Sequence, residues 1–191
     1  MGFPDESTTM TYFTSDTHFG HKNIISFSQR PFQSVEEMDE AMIDRWNEVV
    51  KPGDDVFHLG DFMFYRKEDE QRKIIDRLNG RINFLPGNHD DDLVYTSRFK
   101  FLDPIHWMKY NHQSLILCHY PLLEWDKAFR GSIHLHGHCH NQWAQTPFRR
   151  LDIGVDGHDF RPWHIDEIIE WAKDRPPLDS TIYWQTCPDN N

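Results

Sequence analysis

The sequence of 191 residues has few cysteines and no long apolar run. Its three cysteines, Cys118, Cys139 and Cys187, are an odd number without a CxxC pair, which argues against a disulfide framework and a zinc knuckle. No stretch approaches the roughly 18 consecutive apolar residues of a membrane span, and the polar segment before Met10 has no signal-peptide pattern. We therefore expect a cytoplasmic protein with reduced thiols and no membrane partner.

Positive charge is also scarce. Lys and Arg total 20 against 31 Asp and Glu, so the formal net charge is −11, and no Lys/Arg run provides the footprint of a duplex-binding surface. Long nucleic acid is therefore disfavoured as a substrate. Histidine, by contrast, is abundant: there are 13, several of them in short clusters beside Asp, Asn and Gly, which is the first indication of a metal site.

Strand-like and helical segments alternate in the first half of the chain. Apolar, aromatic or β-branched residues at 11–15, 56–59 and 82–85 predict buried strands that each run into a polar cluster. Ser34-Val35-Glu36-Glu37 is a capping-box pattern at the start of a helix that Pro52-Gly53 stops, and a second helix is predicted over about residues 67–78. This order indicates a mainly parallel sheet, with ligands gathered at the carboxyl ends of the strands.

The second half of the chain reads as a second sheet. Short strand-like pieces at 105–110, 114–118, 132–136 and 151–155 are separated by turns, and residues 165–173 predict a last helix. The length of the chain suits one domain with a substantial core. We expect a single domain over residues 1–174 and an irregular tail over residues 175–191.

Polar clusters rich in metal-ligand side chains follow five of the strand-like segments. They are Asp16-Thr17-His18, Gly60-Asp61, Gly87-Asn88-His89-Asp90, Cys118-His119 and Gly137-His138-Cys139-His140. A hydrolytic divalent-metal site needs such carboxylate and imidazole ligands. Residues i and i+2 of an extended segment point the same way, so each D-x-H or H-x-H pair should converge while Cys139 points away. The preceding glycines permit unusual backbone angles and close approach to an ion.

The blocks D-x-H, G-D, G-N-H-[DE], H and G-H-x-H, in this order, resemble the calcineurin-like metallophosphoesterase superfamily. The resemblance spans roughly Thr11 to Asp156, and the segments DTHFGH (16–21) and LDIGVD (151–156) resemble a small subgroup found in bacteria and their phages. It implies an α/β fold in which two mixed β-sheets pack as a sandwich flanked by helices, in four α/β/β/α layers. A binuclear metal site would lie at the strand ends.

By this resemblance, Asp61 bridges two divalent metal ions. One ion would be held by Asp16, His18, Asp61 and His140, and the other by Asp61, Asn88, His119 and His138. Mn²⁺ is the first expectation, with Fe, Zn, Ni and Mg as alternatives. A metal-bridging hydroxide would attack the phosphorus of a small phosphate ester in line, most simply a phosphodiester or nucleotide.

The resemblance assigns the role of general acid to His89, which would protonate the leaving group. Many relatives carry an Asp three residues after the G-D aspartate to orient this histidine, but the corresponding residue here is Phe64. Asp90 is the available substitute, although its side chain could instead cap a helix beginning at Asp91.

Several other residues keep two interpretations. His21 could reach a substrate phosphate, or the segment could serve a helix cap at Asn23; Arg30 is as readily a packing residue as a cleft residue; and Asp156 is either a hydrogen-bond partner of the site or a turn residue. Two rival functions also stay open. A non-catalytic scaffold is disfavoured because His89 and all seven ligand candidates are present, and a nuclease acting on nucleic-acid ends would need a partner to supply basic surface.

Overall fold

The computed structural model describes residues 9–142 and 146–179, which form an α/β fold. Nine strands and four α-helices lie in these ranges. In chain order they are β1 (Thr11–Thr14), α1 (Ile24–Phe27), α2 (Val35–Val49), β2 (Asp55–His58), α3 (Glu68–Ile75), β3 (Arg81–Phe84), β4 (Phe99–Phe101), β5 (Ile105–Tyr110), β6 (Gln113–Cys118), β7 (Ile133–His136), β8 (Arg150–Asp152), β9 (Trp163–His164) and α4 (Ile165–Lys173).

The strands form two mixed sheets. The first has the order β4-β3-β2-β1-β9, with β1 to β4 parallel to their neighbours and β9 antiparallel to β1. The second has the order β5-β6-β7-β8, in which β5 and β6 form an antiparallel hairpin while β7 is parallel to both of its neighbours. Both sheets were predicted, and their mixed character is confirmed.

The two sheets pack face to face through a shared apolar core. Phe13 of β1 and Leu59, which follows β2, lie in one cluster with Leu117 and Leu135 from the second sheet, and Ile168 of α4 joins them. Helices α2 and α3 cover the other face of the first sheet through residues that include Trp46 and Ile75. The predicted sandwich flanked by helices is confirmed. The outer face of the second sheet is covered by the segment that carries Trp125 and Ala128, which ends in a short 3-10 helix.

Most element boundaries fall within a few residues of the predicted ones. The bounds of β5 and α4 match, whereas α3 ends at Ile75 instead of Leu78. At the start of α2, Ser34 Oγ accepts a hydrogen bond from the Glu37 N–H at 3.1 Å, but the Glu37 carboxylate accepts from the Gln33 N–H at 2.7 Å, so the reciprocal bond of a capping box is displaced by one residue.

The predicted C-terminal tail begins as irregular chain. Its described part ends at residue 179, and residues 180–191 of the predicted tail lie outside the described residues. Leu178 packs beside the Trp125 cluster and donates its N–H to the Ala128 carbonyl at 3.1 Å. Across the described ranges, none of the helices has the length and apolar character needed to cross a membrane.

Candidate metal centre

The seven predicted ligands lie at the carboxyl ends of the strands and fall into two neighbouring groups. Asp16, His18 and His140 present ligand atoms within 4.8 Å of one another, and Asp61, His119 and His138 do the same. We call these the first and second pockets. Parallel β1, β2 and β3 direct Asp16, Asp61 and Asn88 to one edge of the first sheet, while β6 and β7 bring His119, His138 and His140 to the facing edge of the second.

Asp61 lies between the two pockets. Its Oδ2 atom is 3.6 Å from His18 Nε2 in the first pocket and 3.6 Å from His119 Nε2 in the second. Its Oδ1 atom accepts a hydrogen bond from the His89 backbone N–H at 2.9 Å, which fixes the orientation of the carboxylate. The side chain is buried, so one carboxylate is shared by two sets of imidazoles away from bulk water.

The second pocket contains two acceptors that face each other. His119 Nδ1 lies 2.7 Å from the Leu59 carbonyl and therefore carries the proton, which leaves a lone pair on Nε2. That Nε2 is 3.0 Å from Asn88 Oδ1, and His138 Nδ1 is also 3.0 Å from Asn88 Oδ1. With the amide in this orientation, the lone pair of His119 Nε2 faces a lone pair of Asn88 Oδ1, so a proton or a cation must lie between the two atoms. The arrangement fits a metal ion bound by all three side chains.

The first pocket contains a buried imidazole without hydrogen bonds. Both ring nitrogens of His18 are buried and have no hydrogen-bond partner among the described residues. Burial, reinforced by the positive charges of His140 and Arg30, lowers the pKa of His18 well below its ordinary value, so the ring is neutral. Leaving such polar atoms unpaired costs about 1–3 kcal/mol. A metal ion would satisfy one nitrogen.

Asp16 is the carboxylate of the first pocket and is completely buried. Its two oxygens accept the His138 backbone N–H at 3.1 and 3.0 Å, and Oδ1 lies 3.9 Å from His140 Nε2. Burial raises the pKa of Asp16 well above its ordinary value, because the charged form lacks water. A divalent cation would restore the ionised form. The donors of both pockets, namely carboxylates, imidazoles and one amide oxygen, are those that divalent metals of hydrolases use.

Five of the seven ligand candidates have a left-handed backbone conformation. The φ angles are 57° at Asp16, 51° at His18, 55° at Asp61, 71° at His138 and 48° at His140. Side chains i and i+2 therefore converge through left-handed turns, so the expectation of an extended segment at these residues was wrong. Non-glycine residues rarely adopt this conformation, which costs on the order of 1–3 kcal/mol each and clusters at functional sites.

The glycines beside the ligands serve mainly for close approach. A Cβ atom built on Gly137 would collide with Ser15 Oγ and Asp16 Oδ2, and one on Gly87 would collide with Asp61 Oδ1. Of the three glycines that precede ligand candidates, only Gly60 has a positive φ, at 94°. The unusual backbone angles thus fall on the ligands themselves more than on the glycines.

A buried ion pair supports the first pocket from behind. His140 Nδ1 lies 2.8 Å from Asp156 Oδ2, which favours the proton on Nδ1 and turns Nε2 towards Asp16. Arg30 holds Asp156 through two hydrogen bonds of 2.8 and 3.0 Å, and it also donates to the carbonyls of Thr17 at 2.9 Å and Asp16 at 2.7 Å. Burial alone would lower the pKa of His140, but Asp156 and Asp16 raise it. The sequence left two interpretations open for both Arg30 and Asp156, and in the structure both residues support the first pocket. The segment LDIGVD, which contains Asp156, was the only signal for this contact in the sequence.

Asp90 has neither of the roles considered for it. Its carboxylate accepts the backbone N–H groups of Gly87 at 2.6 Å, Asp61 at 2.7 Å and Phe62 at 2.8 Å. It therefore joins the loop after β2 to the loop after β3, and no helix begins at Asp91. The His89 ring is exposed and lies 5.3 Å from the Phe64 ring, centroid to centroid.

His21 and Asn23 also have defined surroundings. The His21 ring stacks on Phe64 with centroids 3.7 Å apart and lies 5.4 Å from the His18 ring. Its Nδ1 atom is buried and has no hydrogen-bond partner in the described part of the chain. Asn23 precedes α1 but its side chain makes no capping hydrogen bond, so the cap considered for it is absent. His21 thus borders the first pocket.

Comparison with known proteins places the chain in a family. No family model matches the sequence. The uncharacterized protein MJ1445 of Methanocaldococcus jannaschii is 36% identical over 166 residues, which cover 83% of this chain and 89% of the archaeal protein. The chain belongs to the same family as this archaeal protein. The Gene 66 protein of Mycobacterium phage L5 is 26% identical over 179 residues, covering 76% of this chain and 86% of the phage protein.

A solved structure shares the fold. The protein AQ665 of Aquifex aeolicus, whose function is unknown, has a TM-score of 0.70 at 25% identity, and the match covers 86% of this chain and 100% of that protein. A predicted phosphoesterase from Streptococcus pneumoniae and a novel archaeal phosphodiesterase are 17% and 16% identical, with TM-scores of 0.35 and 0.41. These last two are too distant to bear on the function of this chain.

Proposed function

We propose that this chain is a binuclear metal-dependent phosphoesterase of the calcineurin-like metallophosphoesterase superfamily. The observation that carries the proposal is the position of Asp61, whose Oδ2 atom is 3.6 Å from an imidazole of each pocket. One carboxylate shared by two adjacent sets of ligands is the arrangement that two-metal hydrolases require. The ordered sequence blocks that resemble the superfamily support the same conclusion.

Each pocket supplies the ligands for one divalent ion. Asp16, His18 and His140 with Asp61 would hold the first, and Asn88, His119 and His138 with Asp61 would hold the second. We expect Mn²⁺, with Fe, Zn, Ni or Mg as alternatives. When bound, the ions would supply Lewis acidity and a water that is nucleophilic near neutral pH.

The charges of the ligands determine what the site attracts. Asp16 and Asp61 are the anionic members, whereas the imidazoles and the Asn88 amide are neutral donors. Two carboxylates cannot neutralise two divalent ions, so the occupied centre would keep positive charge. Such a centre favours an anionic phosphate ester even though the protein as a whole has a net charge of −11.

We assign to His89 the role of the general acid that protonates the leaving group. Its backbone N–H donates to Asp61 Oδ1 at 2.9 Å, which holds the residue at the rim of both pockets. The ring makes no hydrogen bond to the described parts of the chain and contacts Phe64 and His18 instead. The imidazole is therefore free to donate to a leaving oxygen, a contribution of roughly 10²–10⁴-fold.

The substrate class that fits is a small phosphodiester or nucleotide. Asn88 and His89 are exposed, so the site opens to solvent. Within the described residues, a phosphate ester of modest size can therefore reach Asn88 and His89 from solvent. The acidic net charge disfavours long nucleic acid, which would need a partner with a basic surface.

The test measures hydrolysis by protein from which a chelator has first removed bound metal. Bis-p-nitrophenyl phosphate and p-nitrophenyl phosphate are offered with Mn²⁺, Ni²⁺, Zn²⁺ or Mg²⁺, alongside end-labelled oligonucleotides. We expect turnover that depends on added metal, with the diester/monoester ratio defining the preference. Cleavage of the oligonucleotides alone would favour the nuclease alternative. Absence of turnover with every metal and substrate would contradict the proposal and favour the scaffold.

A further inference from the structure

A third cluster of ligand-type side chains lies next to the two pockets. His136, Cys139 and Asp152 present ligand atoms within 4.8 Å of one another. All three residues are buried, with 5%, 6% and 7% of their surfaces exposed. We propose that this cluster is a separate binding site for a borderline-soft transition-metal ion such as Zn²⁺. We call it the thiol site, and it shares no ligand with either pocket.

The imidazole of the thiol site is prepared for coordination. His136 Nδ1 is 2.8 Å from the Gly137 carbonyl and donates its proton there, so the lone pair lies on Nε2. A backbone carbonyl behind the non-ligating nitrogen is the usual support of a metal-bound histidine. The tautomer that coordination through Nε2 needs is therefore already present.

The carboxylate of the thiol site is oriented by the backbone. Asp152 Oδ1 accepts the Gly154 N–H at 2.9 Å, and Oδ2 accepts the Asn141 N–H at 3.0 Å. Each oxygen keeps a further lone pair for a metal. No Lys or Arg of the described ranges forms an ion pair with this buried carboxylate. A bound cation would provide the missing opposite charge.

The donor chemistry distinguishes this site from the two pockets. Sulfur, imidazole nitrogen and a carboxylate oxygen together favour Zn²⁺ or Co²⁺ over Mg²⁺, Ca²⁺ and Mn²⁺. The pockets contain only nitrogen and oxygen donors. Sulfur coordination would therefore report the thiol site alone.

The location gives the site a structural role. Cys139 lies between His138 and His140, and its carbonyl accepts the Gln142 N–H at 2.8 Å within the loop after β7. Asp152 belongs to β8, so an ion bound by both residues would tie this loop to the second sheet. The loop carries one ligand candidate of each pocket. We expect occupancy of the thiol site to hold both in place.

The experiment is a Co²⁺ titration of the chelator-stripped full chain, followed by absorbance. A cobalt–thiolate bond gives an intense charge-transfer band in the near ultraviolet, which nitrogen and oxygen ligands do not give. The titration uses a Cys187→Ser background, since Cys187 lies outside the described residues. We expect an amplitude of the band that corresponds to one thiolate-bound cobalt ion per chain, and we expect the band to disappear in Cys139→Ser. Cys118→Ser is the matched control, because Cys118 is buried but outside the cluster, and it should keep the band.

Two further variants complete the design. Asp61→Asn disrupts the carboxylate shared by the pockets, and the cobalt–thiolate band should survive it, so failure of the proposed function and failure of the thiol site are separable. Asp152→Asn keeps the thiol and the side-chain volume, and we expect at least about 10-fold weaker Co²⁺ binding in competition with a chelator, because losing a ligand carboxylate costs more than losing a partner behind a ligand. It serves as the second test if Cys139→Ser does not fold. Absence of the band in the parent chain, or an unchanged band in Cys139→Ser, would overturn the proposal, as would unchanged affinity in Asp152→Asn.

Discussion

The two pockets share Asp61 but are supported in different ways. Behind the first pocket, His140 contacts Asp156, which is held by the buried guanidinium of Arg30. Behind the second, His119 donates to the Leu59 backbone carbonyl. Within the described residues, no charged side chain other than Asp61 pairs with the imidazoles of the second pocket.

This difference predicts unequal metal affinity. A carboxylate behind a metal-bound imidazole fixes its tautomer and makes it more basic, whereas a backbone carbonyl fixes the tautomer with a smaller electrostatic effect. Asn88 of the second pocket is exposed, and Asp16 of the first is completely buried. We therefore expect the first pocket to hold its ion more tightly and the second to exchange.

Replacing Asp61 should have the largest effect, because both pockets lose a ligand together. We expect Asp61→Ala to lose bound metal from both and to reduce turnover of bis-p-nitrophenyl phosphate to the uncatalysed rate. Metal content by mass spectrometry and initial rates measure the two quantities. Asp166→Ala, at a side chain that is 71% exposed, is the control. Retention of both ions would refute the shared position of Asp61.

Replacing His89 should remove turnover without emptying either pocket. His89→Ala deletes the proton donor but keeps the backbone N–H that holds Asp61. We expect a loss of roughly 10²–10⁴-fold for alkyl esters, which need a proton on the leaving oxygen, and a small loss for p-nitrophenyl esters. His112→Ala, at an exposed hairpin residue, is the matched control. Equal losses for both ester classes would argue against the acid role.

Replacing Asp156 should separate the two pockets. Asp156→Asn removes the charge behind His140, and we expect metal affinity of the first pocket to fall about 10–100-fold while the second is unchanged. A calorimetric titration of the stripped protein with Mn²⁺, which the thiol site disfavours, should show one shifted and one unshifted phase. Asp159→Asn provides the control, since Asp159 forms an exposed ion pair with Arg45. Equal shifts in both phases would show that the support is not specific to the first pocket.

The sequence predicted which polar side chains converge better than it predicted what supports them. Their positions follow from strand order, because polar residues at the ends of adjacent parallel strands must meet at one edge. The contact between Arg30 and Asp156 spans 126 residues and has no periodicity, so only the folded chain shows it. The left-handed turns at Asp16 and His138 are equally invisible, since residue type alone favours other conformations there.

The sequence predicted those helices and strands whose hydrophobic pattern extends over enough residues to be recognised. Helix α2 has 15 residues with apolar side chains at helical spacing, and its interior was evident. Strands β4 and β9 have three and two residues and were missed, because alternation cannot be recognised over so few positions. The strand predicted over residues 151–155 ends at Asp152, and a 3-10 helix over Val155–Gly157 follows it. Asp156 of this 3-10 helix contacts Arg30.

The smallest expected effect on metal binding concerns His58, which is completely buried. Its Nδ1 accepts the Gly60 N–H at 3.2 Å, so Nε2–H donates to Thr17 Oγ1 at 3.0 Å and joins the loops that carry Asp16 and Asp61. Burial, with a smaller effect of His119, lowers the pKa of His58 to about 3. His134 is a useful comparison because burial also lowers its pKa to about 3, although it bonds to Ile116 and Leu122.

Because burial lowers the pKa of both histidines, each of them makes the fold less stable as the pH falls. Above the unfolded pKa of about 6.5, both states are neutral and the contribution to stability is complete. As the pH falls from there towards 3, only the unfolded chain gains the proton, so each histidine lowers the free energy of unfolding by about 1.4 kcal/mol per pH unit. The free energy of unfolding of the stripped protein is measured in urea at several pH values. His58→Asn and His134→Asn should each reduce its slope against pH by about 1.4 kcal/mol per pH unit. Only His58→Asn should also weaken metal binding in both pockets, and an effect on one pocket alone would show that the loops move independently.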